Sequence, residues 1–452
     1  MRLVWVTTLV ALLLAVNTAE AKRKPKDEPR EPYTPAWAEA RLRTVTHKYN
    51  GKLTPVQNGA ALKSAMQGLK PGTELVIEPG EYSIDSWFKL DLEGTEKAPI
   101  VITAAQKPAK KNAKEAPPEF EQVIITRPDI KQNLMNVGVD APSRYLCLRG
   151  LEFTGGAHGI RLNDCENVWI DRCHIHGTSE VAISANTKDT AFLYITRNDI
   201  HDTGGTGEGM YLGANHGKAK MHDSVIALNH VHDIGGDKVS QGDGIEVKQG
   251  SYGNLIAENI VHDTAYPCII AYGTDGEAPN IIERNVCWNS GDNVMQVQGE
   301  AIVRNNLLIN GKGAGFSSHD HQGKSVNLKV VHNTIISSKR GAKFSSWNGR
   351  EGMVFANNAV YSEGTALDFS GGSEGAVVAG NVILGGVSGV GRGYAQGRGL
   401  SDFAGASWDA TERDAAPGAK SALINAADKE YATEEDIHGE ARKRNVAGCY
   451  EK

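Results

Sequence analysis

The chain has no CxxC pair, no apolar run of membrane-spanning length after its first residues, and no excess of basic over acidic side chains. Without CxxC pairs the usual spacing of a structural zinc site is missing, and the one CxxH, Cys173 to His176, has no second pair to complete it. Lys and Arg number 48 against 54 Asp and Glu, a formal net charge of -6, which excludes the basic footprint of a nucleic-acid-binding protein. An acidic polymer would have to be held by local positive groups or by a bound cation. Proline is scarce, 16 residues in 452, whereas glycine reaches 51, so many turns are expected in a chain too varied to be collagen-like or disordered.

Residues 1–21 combine Arg2, a mainly apolar run from Leu3 to Val16, and Ala19-Glu20-Ala21 as a small-x-small cleavage site, the pattern of a secretory signal. The run is short for a membrane anchor, and no Cys stands near the cleavage site to take a lipid. The expectation is an exported monomer, secreted or periplasmic. Its six Cys residues, Cys147, Cys165, Cys173, Cys268, Cys287 and Cys449, are scattered, which suits small core residues with at most one or two disulfides.

Residues 22–57 read as a charged linker, beginning KRKPKDEPREPYTP. Asn58 is positioned to cap a helix whose Leu62, Ala65, Met66 and Leu69 share one face, with Pro71-Gly72 ending it before the apolar strand Leu75-Val76-Ile77. Such a helix would cover the open first rung of a sheet stack.

From about residue 145 an internal repeat takes over. Indexed on Asn259, its equivalents are Leu151, Cys173, Asn198, Asn229, Asn285, Asn306, Asn333, Asn358 and Asn381, with successive spacings of 22, 25, 31, 30, 26, 21, 27, 25 and 23 residues. An apolar residue stands three before each reference, as in Ile226, Ile256 and Ile282, and another two after, as in Val231, Val261 and Cys287. Spacings this short leave no room for a crossover helix in each repeat, so the pattern predicts a parallel β-solenoid with coils stacked at about 4.8 Å. The Asn column fits a tight corner where the residue accepts a left-handed backbone and its amide bonds to the next rung.

The segment LKSAMQGLKPGTELVIEPGEY (62–82), the repeated Asn-x-Ile/Val-His-Asp units and the tail together resemble the right-handed parallel β-helix superfamily of pectate lyases and related polysaccharide-active proteins. The resemblance implies an all-β, right-handed, single-stranded parallel β-helix over 58–390 with an N-terminal capping helix, and a loop-rich C-terminal cap over 391–452.

Two outward columns carry the candidate chemistry. His176, His201, His232 and His262, then Trp288, stand three residues after the reference, with Asp202, Asp233 and Asp263 beside three of them. A column along a rod spreads its imidazoles instead of converging them on one ion, so stacking with His-Asp turn bonds is the expected role. The second column, aligned on Ile245, reads Arg161, Ser184, Tyr211, Glu246, Ile270, Gln296, Ser317, Lys343 and Asp368, with a lower row including Lys248, Tyr272, Gln298 and His319. Its mixture of charges, amides and aromatics suits sugar hydroxyls and ring faces. Arg161, Tyr211, Glu246, Gln296, Gln298, Lys343 and the loop residue Trp347 are the expected contacts to an acidic polysaccharide.

A polysaccharide lyase must remove the proton alpha to a uronate carboxyl, which requires a base and a group that neutralises the carboxylate. Lys248 is the candidate base, with Tyr272 or His319 as the acid. The segment Gly242-Asp243-Gly244-Ile245-Glu246-Val247-Lys248 resembles the Asp-Gly-x-x-x-Lys of calcium-dependent pectate lyases. That resemblance implies a calcium ion at Asp243, with Glu208 and Asp237 as further candidate ligands. The Asp-Asp-Gly-Trp-Asp cluster those enzymes carry about one coil later is replaced here by Asp263-Thr-Ala-Tyr-Pro-Cys-Ile-Ile. The Arg that alginate and chondroitin lyases place one coil beyond the Lys is replaced by Tyr272. A non-catalytic carbohydrate-binding or surface-structural protein, and a glycoside hydrolase using Glu208, Asp237, Asp243 and Glu246, are the competing classes.

Overall fold

The computed structural model describes residues 31–108, 118–236 and 239–452, so the expected signal segment lies outside the described residues. Residues 37–452 form one compact unit; of the other unit, 1–36, the described residues 31–36 make a short turn. The larger unit is the expected right-handed parallel β-helix. Each coil contributes short strands to three ladders, and every pairing between successive coils is parallel. A 15-stranded sheet forms the first face, from Arg43–His47 to Val377–Ala379. The second and third faces join into one 23-stranded sheet because the long strand Ala359–Phe369 runs through both.

The apolar columns expected from the repeat are the core. On the first face Ile226, Ile256, Ile282, Val303, Val330, Phe355 and Val378 pair in register, and on the second Val231, Val261, Cys287, Leu308, Ile335, Val360 and Ile383 do the same. Nearly all are fully buried, each contributing about 1.5–3 kcal/mol by removal from water.

At the corner between these faces the asparagines form a continuous ladder. The side-chain Nδ2 of each, from Asn198 to Asn358, donates to Oδ1 of the next at 2.9–3.1 Å, ending on Asn381. The same Nδ2 also donates to the carbonyl of the buried residue three before the reference in the preceding coil, as Asn259 does to Ile226 at 2.9 Å. The left-handed conformation falls one residue earlier than expected, on Arg197, Leu228, Glu258, Arg284, Asn305, His332, Asn357 and Gly380. Seven of these eight are not glycine. The strain of a non-glycine in this region, about 1–2 kcal/mol, is borne because the turn aims the following amide along the ladder.

Both ends depart from expectation. The helix is Pro55–Gln67, capped by Thr54 with Gln57 in a reciprocal capping box, while Asn58 lies inside its first turn and ties back to Asn50. Leu62 and Met66 are buried against the opening strands of the second and third faces, so the helix does cover the first rung. Within the segment read as a linker, Arg43–His47 pairs in parallel with Thr73–Ile77, and Trp37 is buried edge-on to Trp169. A charged segment still joins the fold here because its few apolar side chains, Trp37 first, meet the outer surface of the first face.

The C-terminal region also differs from a simple end cap. Tyr394–Gln396 pairs with Asn381–Ile383, extending the solenoid, and the chain beyond it folds back along the second face. There Phe403, Leu423, Ile437, Val446 and Cys449 pack on the outward side chains Leu307, Ile309, Ile336 and Tyr361. Those outward positions are apolar because they are covered; in earlier coils the same positions are His and Asp. All six cysteines are buried and unpaired.

Asn259→Ala removes an acceptor for Asn229 and a donor to both Ile226 and Asn285 in a fully buried corner. The variant is expected to lose about 3 kcal/mol of stability, read by urea unfolding; a loss under about 0.5 kcal/mol would contradict the ladder's structural role.

Candidate active site

The strand Ile245–Val247 owes its position to the two residues before it. At Gly244 a Cβ would lie 2.4 Å from Val261 Cγ1 and 2.5 Å from the Cys268 carbonyl oxygen, so only glycine lets the chain pass this close to the next coil. Ile245 and Val247 then enter the core and send Glu246 and Lys248 outward on the third face. The register across this face is Arg161, Ser184, Tyr211, Glu246, Ile270, Gln296, Ser317, Lys343, Asp368, the column read from the sequence.

Outward here does not mean exposed. Glu246 is 2% and Lys248 4% exposed, and Glu208, Asp243, Tyr272 and Gln298 are also buried. Lys248 Nζ is ion-paired with Glu246 Oε1 and lies over the rings of Tyr211, 4.5 Å from its centroid, and Tyr272, 5.1 Å away. The Tyr272 hydroxyl donates to the same Glu246 oxygen at 3.3 Å.

Glu208, Asp243 and Glu246 each bring a carboxylate oxygen within 4.8 Å of the others. Glu208 Oε2 accepts from Thr206 Oγ1 at 2.6 Å, but Glu208 Oε1, Asp243 Oδ1 and Glu246 Oε2 are buried with no hydrogen-bond partner among the described residues. Burial, then the neighbouring carboxylates Glu246 and Glu208, hold the Asp243 carboxyl well above its ordinary range. Burial likewise raises Glu246, opposed by Lys248. The hydroxyls of Tyr211 and Tyr272 are pushed upward by burial and by Glu246, so both stay protonated. Three carboxylates that converge, each keeping one buried oxygen without a donor, are the kind of set a hard divalent cation takes, and the trio fits calcium on that ground. Asp237 lies outside the described residues.

The remaining candidates divide by position. Gln296 and Gln298 stand on one coil, the second beyond Glu246, with Gln296 3.4 Å from His321 Nδ1. His321 sits against Tyr272, ring centroids 5.1 Å apart, and burial and Lys248 lower its pKa. His319, by contrast, belongs to a coil three beyond Lys248, about 14 Å away at the strand spacing. It bonds with Ser317 and is not brought to the lysine, so His321 replaces it as the imidazole of the cluster. Arg161, bonded to Asn186, and Lys343 lie on the same row three coils before and four coils after Glu246, far enough to meet distant units of a chain ligand. Trp347 is corrected: it is fully buried among Phe344 and Phe369, its Nε1 bonded to Ser318 Oγ at 2.9 Å, and presents no ring to a sugar. Being a lone aromatic just past a strand, it read as a loop residue although it closes the core. The loops after these strands meet along one edge of the face, where Gln322 donates to Asn215 Oδ1 at 3.0 Å and accepts from the His216 N–H at 3.2 Å.

Family models match in two overlapping stretches: the right-handed β-helix region over residues 121–278, and NosD, described as a periplasmic copper-binding protein, over 218–412. Among solved structures, pectate lyase Pel9A aligns with a TM-score of 0.50 at 13% identity, covering 92% of this chain and 98% of its own. The complex of XylC with xylose aligns with a TM-score of 0.56 at 11% identity, covering 86% of this chain and 94% of its own. At such identities the likeness is one of fold. No curated protein matches the sequence. The chain shares the right-handed parallel β-helix fold of these structures, and residues 121–278 match the right-handed β-helix region.

The raised carboxyls give a pH signature. The folded protein binds these protons more tightly than the unfolded chain, so their contribution to stability falls as pH rises from the ordinary carboxyl value of about 4 toward the raised one. Asp243→Asn is therefore expected to gain on the native protein between about pH 4 and neutrality, by about 1.4 kcal/mol per unit of upward displacement. Urea unfolding at the two pH values checks this, and parallel profiles would refute it.

Proposed function

We propose that the chain is an exported polysaccharide lyase, acting as a monomer by β-elimination on a uronate-containing polysaccharide laid along the third face. The observation that carries this reading is Lys248, held buried in mid-face between two tyrosines and against a carboxyl of raised proton affinity. Lys248 Nζ, in mid-face between the two rings, is the base that would take the proton alpha to the uronate carboxyl. Tyr272, protonated and beside the Glu246 carboxyl, is placed to donate to the departing glycosidic oxygen. Glu208, Asp243 and Glu246 are the residues that would hold calcium, which when bound would neutralise the uronate carboxylate. Gln296 and Gln298 supply amides toward the adjoining sugar. Export rests on the signal pattern of residues 1–21 and on the periplasmic description of the NosD family.

Hydrolysis is less well supported. The acids lie within 4.8 Å of one another, short of the roughly 6.5–9.5 Å of an inverting glycosidase, which leaves only the roughly 5–5.5 Å spacing of a retaining one. The closed Lys248–Glu246 pair does favour one alternative, a protein that holds a glycan without cleaving it.

Purified protein given pectate, alginate and glycosaminoglycans, with calcium or with chelator, is expected to release an unsaturated product that absorbs in the ultraviolet. Lys248→Ala should abolish that release with folding intact, and Tyr272→Phe should lower kcat about 100-fold or more. Binding without product in every arm would select the non-catalytic reading, and neither binding nor product would dismiss both.

A further inference from the structure

The second face holds a different constellation that shares no residue with the groove. The row expected as stacked imidazoles is there, with His176 and His201 ring centroids 5.0 Å apart, His201 and His232 4.9 Å, and His232 and His262 5.4 Å. Beside it runs a second row, two residues earlier in each coil, formed by His174, Asp199 and His230. Together the rows make triads that do converge. One donor atom from each of His174, His176 and His201 lies within 4.8 Å of the others, and the same holds for His230, His232 and His262 and for Asp199, His201 and His232.

The hydrogen bonds define which nitrogens are free. His201, His232 and His262 each direct Nδ1 to the carboxylate of the following Asp, at 2.7 Å to Asp202, 2.8 Å to Asp233 and 2.6 Å to Asp263. An imidazole that gives its Nδ1–H to a carboxylate carries its lone pair on Nε2, the arrangement that orients a metal-ligating histidine. Those Nε2 atoms point at one another's partners. His201 Nε2 is 2.7 Å from His174 Nε2 and His262 Nε2 is 2.9 Å from His230 Nε2, while His232 Nε2 lies 3.1 Å from Asp199 Oδ1 and His176 Nε2 3.2 Å from Glu152 Oε1, two carboxylate contacts that an incoming ion would displace. Two nitrogens on one tetrahedral zinc stand about 3.3 Å apart at a Zn–N distance of roughly 2.0–2.1 Å, so each pair needs to open by only about half an ångström.

The position suits an incoming ion. His262 stacks on Trp288 at 4.1 Å, and Arg413 of the folded-back tail lies over the other side of this border, 4.3 Å from the Trp288 ring. The tail covers the face beyond that point, whereas side-chain exposure is 45% at His230, 17% at His232 and 16% at His262. We propose that this stretch is a transition-metal site binding two divalent ions of the imidazole-preferring class, copper(II) more tightly than zinc(II), one on His174, His176 and His201 and one on His230, His232 and His262. The two sets share no ligand. Asp199 stands between them as a carboxylate that offsets their charge, and imidazole donors select this class over calcium or magnesium.

Tag-free protein stripped with chelator and titrated calorimetrically with zinc(II) or copper(II) is expected to bind two equivalents. The paired change His230→Ala with His262→Ala should leave one, and the copper adduct should show nitrogen coupling in its electron paramagnetic resonance spectrum. Asp233→Asn and Asp263→Asn, at exposed positions that leave every ligand in place, should weaken the second ion about 10- to 100-fold and keep the test valid should the paired variant misfold. Glu246→Gln, confined to the groove, should retain both equivalents, so failure of the lyase reading leaves this result untouched. Unchanged stoichiometry in the His variant, unchanged affinity in the Asp variants, a copper spectrum without nitrogen coupling, or loss of an equivalent in Glu246→Gln would each overturn the proposal.

Discussion

Everything on this rod hangs on one amide group repeated from coil to coil. An asparagine at the corner satisfies a carbonyl of the coil before it and an oxygen of the coil after it, and it accepts from the preceding rung, as Asn259 does among Ile226, Asn285 and Asn229. Because a shift of one residue would send every side chain of a strand to the opposite side, this column fixes which residues face the core and which face solvent. The groove and the histidine rows are therefore consequences of the ladder. The side chains on the strands are placed by register, while Glu208, Asp243 and His321 reach the groove from the segments flanking them.

The two faces use that regularity differently. On the third face a charged pair is buried beside two tyrosines, and burial raises the proton affinity of the Glu246 carboxyl while Lys248 opposes the rise. On the second face the imidazoles keep partial contact with solvent and are oriented one by one through a carboxylate at the next position. The repeat explains both, since a spacing of one strand sets like groups about 4.8 Å apart, within reach of a shared proton or ion.

Much of this was legible as a repeat. The aliphatic columns, the outward row from Arg161 to Asp368 and the amide ladder followed from counting, because a solenoid converts sequence offset directly into spatial neighbourhood. What escaped depended on segments without a period. The left-handed residue was placed on the asparagine when its neighbour Glu258 or Leu228 bears it, since a side-chain preference for that conformation says little about a turn whose geometry is imposed by stacking. Trp347 looked like a loop residue and is core; Leu307, Ile309 and Ile336 broke the polar outward pattern because the tail lies on them. Convergent histidines were missed because only one row was counted, and ligation needs the second.

The six unpaired cysteines have a use that their burial creates. They are spread along the rod, Cys147, Cys165 and Cys173 in early coils, Cys268 and Cys287 in the middle, and Cys449 in the tail, and all are shielded in the folded state. Each thiol thus becomes reactive only when its own coil opens. A modifying reagent followed by peptide mapping would therefore read the rod as a ruler, reporting where a one-dimensional stack begins to unravel and in which direction the fraying travels.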